Sequence, residues 1–140
     1  MNKQYIDWNA IDLLVSKLIH EIKVSNVKFK NIYGIQRGGL IPAVLLSHKL
    51  DIPFVKGDIG PDTLIVDDIC DSGETLDKIV KKYQTLYSTP FNLQTAVLHY
   101  KPHTSCFEPT LYSKEWNSDD WIVYPWEQED SKTIQDYKLK

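Results

Sequence analysis

What the chain has little of narrows it first. Only one of its sixteen basic residues is an arginine, Arg37, and the formal net charge over 140 residues is −3. That balance gives no electrostatic case for a nucleic-acid or anionic-membrane partner. The two cysteines, Cys70 and Cys106, form neither a CxxC pair nor a disulfide framework. There is no apolar run long enough to span a bilayer and no signal-peptide-like segment near the N-terminus. The histidines His20, His48, His99 and His103 lack metal-ligand spacing. Repeats, low-complexity tracts and linkers are missing as well. The expectation is one ordinary domain spanning 1–140, in a reducing cytoplasm.

What is present alternates helix and strand. Ile11, Leu14, Val15, Leu18, Ile19 and Ile22 form one stripe at helical spacing over residues 8–23, with Asp7 as N-cap. Asn31 to Ile35 predicts a strand, Leu40 to Leu50 a helix with Pro42 in its first turn, and Phe54-Val55 a short strand. Lys56 to Asp62 is a turn. Leu64, Ile65 and Val66 form an apolar strand that the acidic residues after it are expected to end. A helix over 75–86 and a strand from Asn92 to His99 follow. Residues 104–120 predict loop with a strand near Leu111-Tyr112, and Trp121 to Tyr124 a last strand. The final dozen residues are polar, a short helix or a tail. This pattern implies an α/β fold, a central mostly parallel sheet flanked by helices. Ligands of such sheets sit at the C-terminal strand ends, where the chain order reverses. Gln36 to Gly39, Asp67 to Thr75 and Lys101 all fall at such ends.

The organising stretch is Thr63 to Leu76, TLIVDDICDSGETL. Three clustered carboxylates, Asp67, Asp68 and Asp71, cost free energy unless a cation or donors compensate. They suit a hard cation or sugar hydroxyls, while helix-start amides with the Ser72 and Thr75 hydroxyls suit a phosphate. A solvated turn with capping aspartates explains Asp71 but not the pair. An all-helical DDxxD site conflicts with the preceding strand, and the spacing of a calcium loop is absent.

IVDDICDSGET resembles the ribose-phosphate signature of the type I phosphoribosyltransferases: an apolar strand, two acidic residues, two variable ones, then an acidic residue and a glycine-containing phosphate loop. Three further segments follow in family order, so that the likeness runs from about residue 30 to residue 127. Gln36-Arg37-Gly38-Gly39 resembles the pyrophosphate loop, whose non-proline cis peptide would here join Gln36 to Arg37. Tyr100-Lys101-Pro102 matches the 6-oxopurine branch, in which the lysine donates to O6 of the base. Trp121-Ile122 resembles the C-terminal segment of the xanthine-guanine and archaeal-type enzymes, where the tryptophan stacks on the purine and the next backbone meets its edge.

The resemblance implies transfer of the 5-phosphoribosyl group from 5-phosphoribosyl-1-diphosphate (PRPP) to guanine, hypoxanthine or xanthine in purine salvage, with Mg²⁺ as cofactor and a homo-oligomeric assembly. It implies Asp67 and Asp68 at the ribose hydroxyls or the metal, and Asp71 both among the nucleotide-binding residues and as the catalytic group near N7. It places Ser72, Gly73, Glu74 and Thr75 at the 5′-phosphate, and Gln36, Arg37 and Gly38 at the diphosphate. Lys101, Trp121 and Ile122 fall to the base, while Trp126 packs. One departure is visible. Family members carry a long hood before the acidic strand, where this chain has only Lys56 to Asp62. The alternative this raises is a PRPP- or nucleotide-binding regulator with little turnover.

Overall fold

The computed structural model describes residues 2–86 and 93–127. Seven strands and three helices follow in the order β1 (Lys3–Tyr5), α1 (Trp8–Ser25), β2 (Asn31–Gly34), α2 (Leu40–Leu50), β3 (Phe54–Val55), β4 (Thr63–Cys70), α3 (Glu74–Leu86), β5 (Gln94–Tyr100), β6 (Leu111–Glu115) and β7 (Trp121–Val123). The main sheet has five strands in the order β3-β2-β4-β5-β6, every neighbouring pair parallel. A separate parallel pair, β1 with β7, stands apart from it.

Side-chain alternation along the strands builds the layers. Ile32, Leu64, Val66, Ala96 and Leu98 share a core with Ile11, Val15, Leu18 and Ile22 of α1 and with Ala43 and Leu46 of α2. Ile65 and Val97, one residue out of phase, join Leu76 and Val80 of α3 on the other face. The α1 stripe is therefore buried as its spacing predicts, each large aliphatic side chain contributing about 1.5–3 kcal/mol. Asp7 caps α1, accepting from the Ala10 amide at 2.8 Å. The helix runs two residues past the expected end and closes on Asn26 in the left-handed region, φ 60°.

The chain reverses between β2 and β4. From β2 it passes outward to β3, then returns to β4 and continues the other way to β5 and β6. In sheets of this kind ligands sit at such a reversal, at the C-terminal strand ends.

One expectation needs correction. β4 does not stop at Val66; it runs through Asp67 and Asp68 to Cys70. The reason is β5, which offers a continuing partner edge: Asp67 pairs with Val97, Ile69 with His99 and Cys70 with Tyr100. On the other side β2 ends at Gly34, opposite Val66, so the acidic half of β4 has a strand neighbour on one side only. The strand expected near Leu111-Tyr112 is present as β6, which runs on to Glu115 along the edge of β5. The expected strand start at Asn92 and the expected polar tail lie outside the described residues.

The 56–62 connection is a pinned turn. Ile59 is buried, the Gly60 amide donates to Thr63 Oγ1 at 2.9 Å, and the Thr63 hydroxyl donates to Asn31 Oδ1 at 2.6 Å.

Candidate active site

Three segments meet at the reversal. The first, Gln36 to Gly39, joins β2 to α2. Its Gln36–Arg37 peptide is cis, at the bond the sequence pattern singles out. Gln36 and Arg37 are exposed, while Gly38 and Gly39 are buried. Gly38 packs on Asp68: a Cβ there would lie 2.8 Å from Asp68 Cγ and closer still to Oδ2. This glycine lets the β2–α2 turn lie against the acidic strand.

The second segment is the end of β4 with the turn into α3. Asp67 Oδ1 accepts from the Asp68 amide and Asp68 Oδ1 from the Ile69 amide, both at 2.8 Å, so each carboxylate is oriented by the next backbone N–H. The Asp68 carbonyl accepts from the Tyr124 hydroxyl at 3.2 Å. With that proton committed, the Tyr124 oxygen accepts from His99 Nδ1 at 2.8 Å, which sets the histidine tautomer. His99 and Tyr124 are buried. Burial, with Lys114 second, pushes the His99 pKa down to about 4, and burial drives the Tyr124 phenol upward. Both are thus neutral near pH 7, and they brace the acidic strand from within.

Beyond Cys70 the chain turns at Asp71, Ser72 and Gly73. Gly73 has φ 80° and immediately precedes α3, while Ser72 Oγ accepts from the Glu74 amide at 3.3 Å. Glu74 is exposed and Thr75 half-buried at the helix N-terminus, where backbone N–H groups suit an anion. Cys70 is buried, its thiol pushed up to about 11, chiefly by burial, which leaves it a poor nucleophile.

The third segment follows β5. A lysine at a strand end is ordinarily exposed. Lys101 is instead only 8% exposed, and its Nζ stands 3.6 Å from Asp71 Oδ2. The turn it begins is stitched to the β4–α3 turn. The Lys101 amide donates to the Cys70 carbonyl at 3.0 Å and the Cys106 amide to the Ser72 carbonyl at 2.8 Å. Thr104, which nothing in its own neighbourhood of sequence marks out, donates to Asp71 Oδ1 at 2.8 Å.

Trp121 and Ile122 sit on β7, outside the main sheet. His103, two residues after Lys101, places Nε2 3.1 Å from Asp119 Oδ1 just before β7, and Trp116 bridges the Tyr100 and Asp120 carbonyls. The Trp121 ring is half-buried and makes no ring contact among the described residues. The Trp121 amide donates to Asn2 and the Val123 carbonyl accepts from Ile6, so residues 121 and 123 face the β1 side. Strand alternation turns the Ile122 amide and carbonyl the other way. Trp126 packs as expected, stacked on Tyr124 with centroids 4.7 Å apart.

Among the described residues, no group of three or more His, Cys, Asp or Glu side chains could hold a metal unaided. No helix among them is long and apolar enough to cross a membrane.

Comparison with known proteins agrees with this architecture. No family model matches the chain. A xanthine-guanine phosphoribosyltransferase from Cereibacter sphaeroides is 32% identical over 128 residues, covering 73% of this chain and 71% of the relative. The crystal structure of a purine phosphoribosyltransferase from Pyrococcus horikoshii superposes with a TM-score of 0.77 at 32% identity, covering 96% of this chain and 99% of that one. A Helicobacter pylori xanthine-guanine-hypoxanthine phosphoribosyltransferase shares the fold, with a TM-score of 0.76 at 18% identity over 89% and 92% of the two chains.

Proposed function

Because the chain belongs to the purine branch of the type I phosphoribosyltransferases, we propose that it moves the 5-phosphoribosyl group of PRPP onto N9 of guanine, hypoxanthine or xanthine, with release of pyrophosphate. The observation that carries the base class is Lys101, buried at the end of β5 with its ammonium beside Asp71. A buried ammonium is a donor that must be met. A 6-oxo oxygen accepts from it, whereas the amino group of adenine sets a donor against a donor and forfeits that hydrogen bond, which costs about 1–3 kcal/mol.

In this reading the C1–O bond to the diphosphate breaks as the N9–C1 bond forms, and the electron pair leaves on pyrophosphate. Positive charge grows on the ribose and negative charge on the leaving group, so the site works mainly by alignment and electrostatics. Gln36, Arg37 and Gly38 hold the diphosphate. Asp67 and Asp68 hold the ribose hydroxyls. Ser72 to Thr75 hold the 5′-phosphate at the start of α3. Trp121 stacks on the base and the Ile122 backbone meets its edge. Asp71 takes or shares the N7 proton as N9 becomes nucleophilic.

Mg²⁺ binds through one or two carboxylates together with substrate phosphates, and Asp67 and Asp68 are the carboxylates offered for it here. Asp67 and Asp68 would hold it, and it would offset charge on the departing diphosphate. The reading is of a cytoplasmic homo-oligomer acting in purine salvage. A second reading, a nucleotide-binding regulator with little turnover, draws on the 56–62 turn, which is pinned by Thr63 and too short to close over PRPP.

Asp71→Asn separates the two. The enzyme reading expects nucleotide formation to collapse in this variant while GMP still binds. Undiminished turnover would remove Asp71 from the mechanism.

A further inference from the structure

Thr104 makes the shortest contact to the Asp71 carboxylate. It lies in the turn after Lys101, exposed, with its hydroxyl 2.8 Å from Asp71 Oδ1 and 3.0 Å from the Asp71 carbonyl. A hydroxyl has one proton and serves one acceptor at a time; the shorter contact is the charge-assisted one. The backbone beneath it is fixed, the Thr104 and Ser105 amides donating to the Lys101 carbonyl at 3.3 and 3.1 Å.

The carboxylate is therefore held from two unlike sides. Oδ1 meets a short, neutral donor on a fixed turn. Oδ2 meets an ammonium at 3.6 Å on a long, rotatable stem. The ammonium has another task in the reading above, to reach the oxygen of an incoming base. A carboxylate tethered only to that lysine would close into direct contact with it. Each group would then mask the other.

We propose that Thr104 is a positioning residue that keeps Asp71 from collapsing onto Lys101, so that the carboxylate faces N7 while the ammonium remains available to the 6-oxo oxygen. The inference rests on the reading of Asp71 and Lys101 given under Proposed function.

The test compares Thr104→Val, which keeps the shape and removes the donor, with Thr104→Ser, which keeps the donor. The side chain is exposed, so neither change disturbs the core. With PRPP and guanine, Thr104→Val is expected to lower kcat and raise the KM for guanine, together reducing kcat/KM for the base about tenfold, the scale of one hydrogen bond to a charged group. The KM for PRPP should stay within about twofold, because Thr104 is bonded to Asp71 and not to the PRPP-holding residues. Thr104→Ser should restore base kinetics to near wild type. A merely structural role would shift melting temperature without that split or that rescue. Valine kinetics equal to wild type, or serine as impaired as valine, would overturn the proposal. GMP affinity by calorimetry gives an arm independent of turnover: weakened by valine and restored by serine supports the positioning role, and equal affinity in all three chains refutes it. A wild type that makes no nucleotide from any purine overturns the reaction reading, and the calorimetric comparison then decides the Thr104 inference by itself.

Discussion

Replacing Gly73 with alanine tests whether the turn after β5 rests directly on the β4–α3 turn. Two costs arise at this position. The backbone has φ 80°, in the left-handed region that an L side chain enters at about 1–2 kcal/mol. The added methyl would also stand 2.8 Å from the Phe107 amide nitrogen and 2.9 Å from its Cβ, with Ser105 Oγ nearer still. Phe107 N is backbone, and Ser105 is tied to Phe107 by its own hydroxyl, so the turn must move as a unit. Overpacking of this kind costs about 1–3 kcal/mol. The sum is roughly 2–5 kcal/mol, or roughly 5–15 °C in melting temperature for a chain of this size. That movement also pulls the Cys106 amide from the Ser72 carbonyl, so GMP and ribose 5-phosphate should both bind more weakly. Gly57→Ala is the internal control. A Cβ there meets nothing within 4 Å and the backbone lies outside the left-handed region, so this change should be neutral or stabilise by up to about 1 kcal/mol. The readouts are thermal melting and calorimetric titration with both ligands. A Gly73→Ala protein that melts within a degree or two of wild type, or a Gly57→Ala protein that loses as much, would refute the packing argument.

Gly38→Ala should act on ligand binding more than on stability. The methyl would displace the Asp68 carboxylate from the Ile69 amide, weakening PRPP about tenfold by the loss of an oriented charged acceptor. An Asp68→Ala background removes the clash, so a penalty that persists there would assign the effect elsewhere. His99 gives the pH dependence. Its pKa falls from 6.5 to about 4 on folding, so between those values the unfolded chain binds a proton that the folded one does not. Stability is whole above pH 6.5 and declines by about 3 kcal/mol as pH falls to 4. His99→Gln should flatten that slope in denaturant titrations; parallel slopes would count against a neutral buried imidazole. Trp121 fluorescence should respond to GMP and not to ribose 5-phosphate, with the response gone in Trp121→Phe. An equal response to both ligands would argue against stacking on the base.

The sequence made the main sheet and its helices readable because their burial repeats. The α1 stripe repeats at a period that reaches the core, the Leu40–Leu50 helix buries Pro42, Ala43 and Leu46, and the apolar centre of β4 is an unbroken buried run. The Gln36–Arg37 cis bond and the placing of Lys101 came from motif likeness rather than from periodicity. What stayed hidden lacks a local signal. β1 is Lys3-Gln4-Tyr5, exposed throughout, and is a strand only because β7 lies alongside. The extension of β4 through two aspartates contradicts strand propensity and is imposed by pairing with β5. Thr104 and the Tyr124–His99 brace are single polar residues whose partners lie 33, 56 and 25 positions away, separations at which no short-range pattern exists.

Whether this site joins a 6-oxopurine to PRPP is decided by a magnesium-dependent turnover assay offering guanine, hypoxanthine, xanthine and adenine separately, with nucleotide and pyrophosphate followed independently. Nucleotide and pyrophosphate are expected in equal amounts with one or more of the 6-oxopurines, and none with adenine. Nucleotide from adenine as readily as from guanine would contradict the role given to Lys101, and no nucleotide from any base, with GMP still bound, would contradict the enzyme itself.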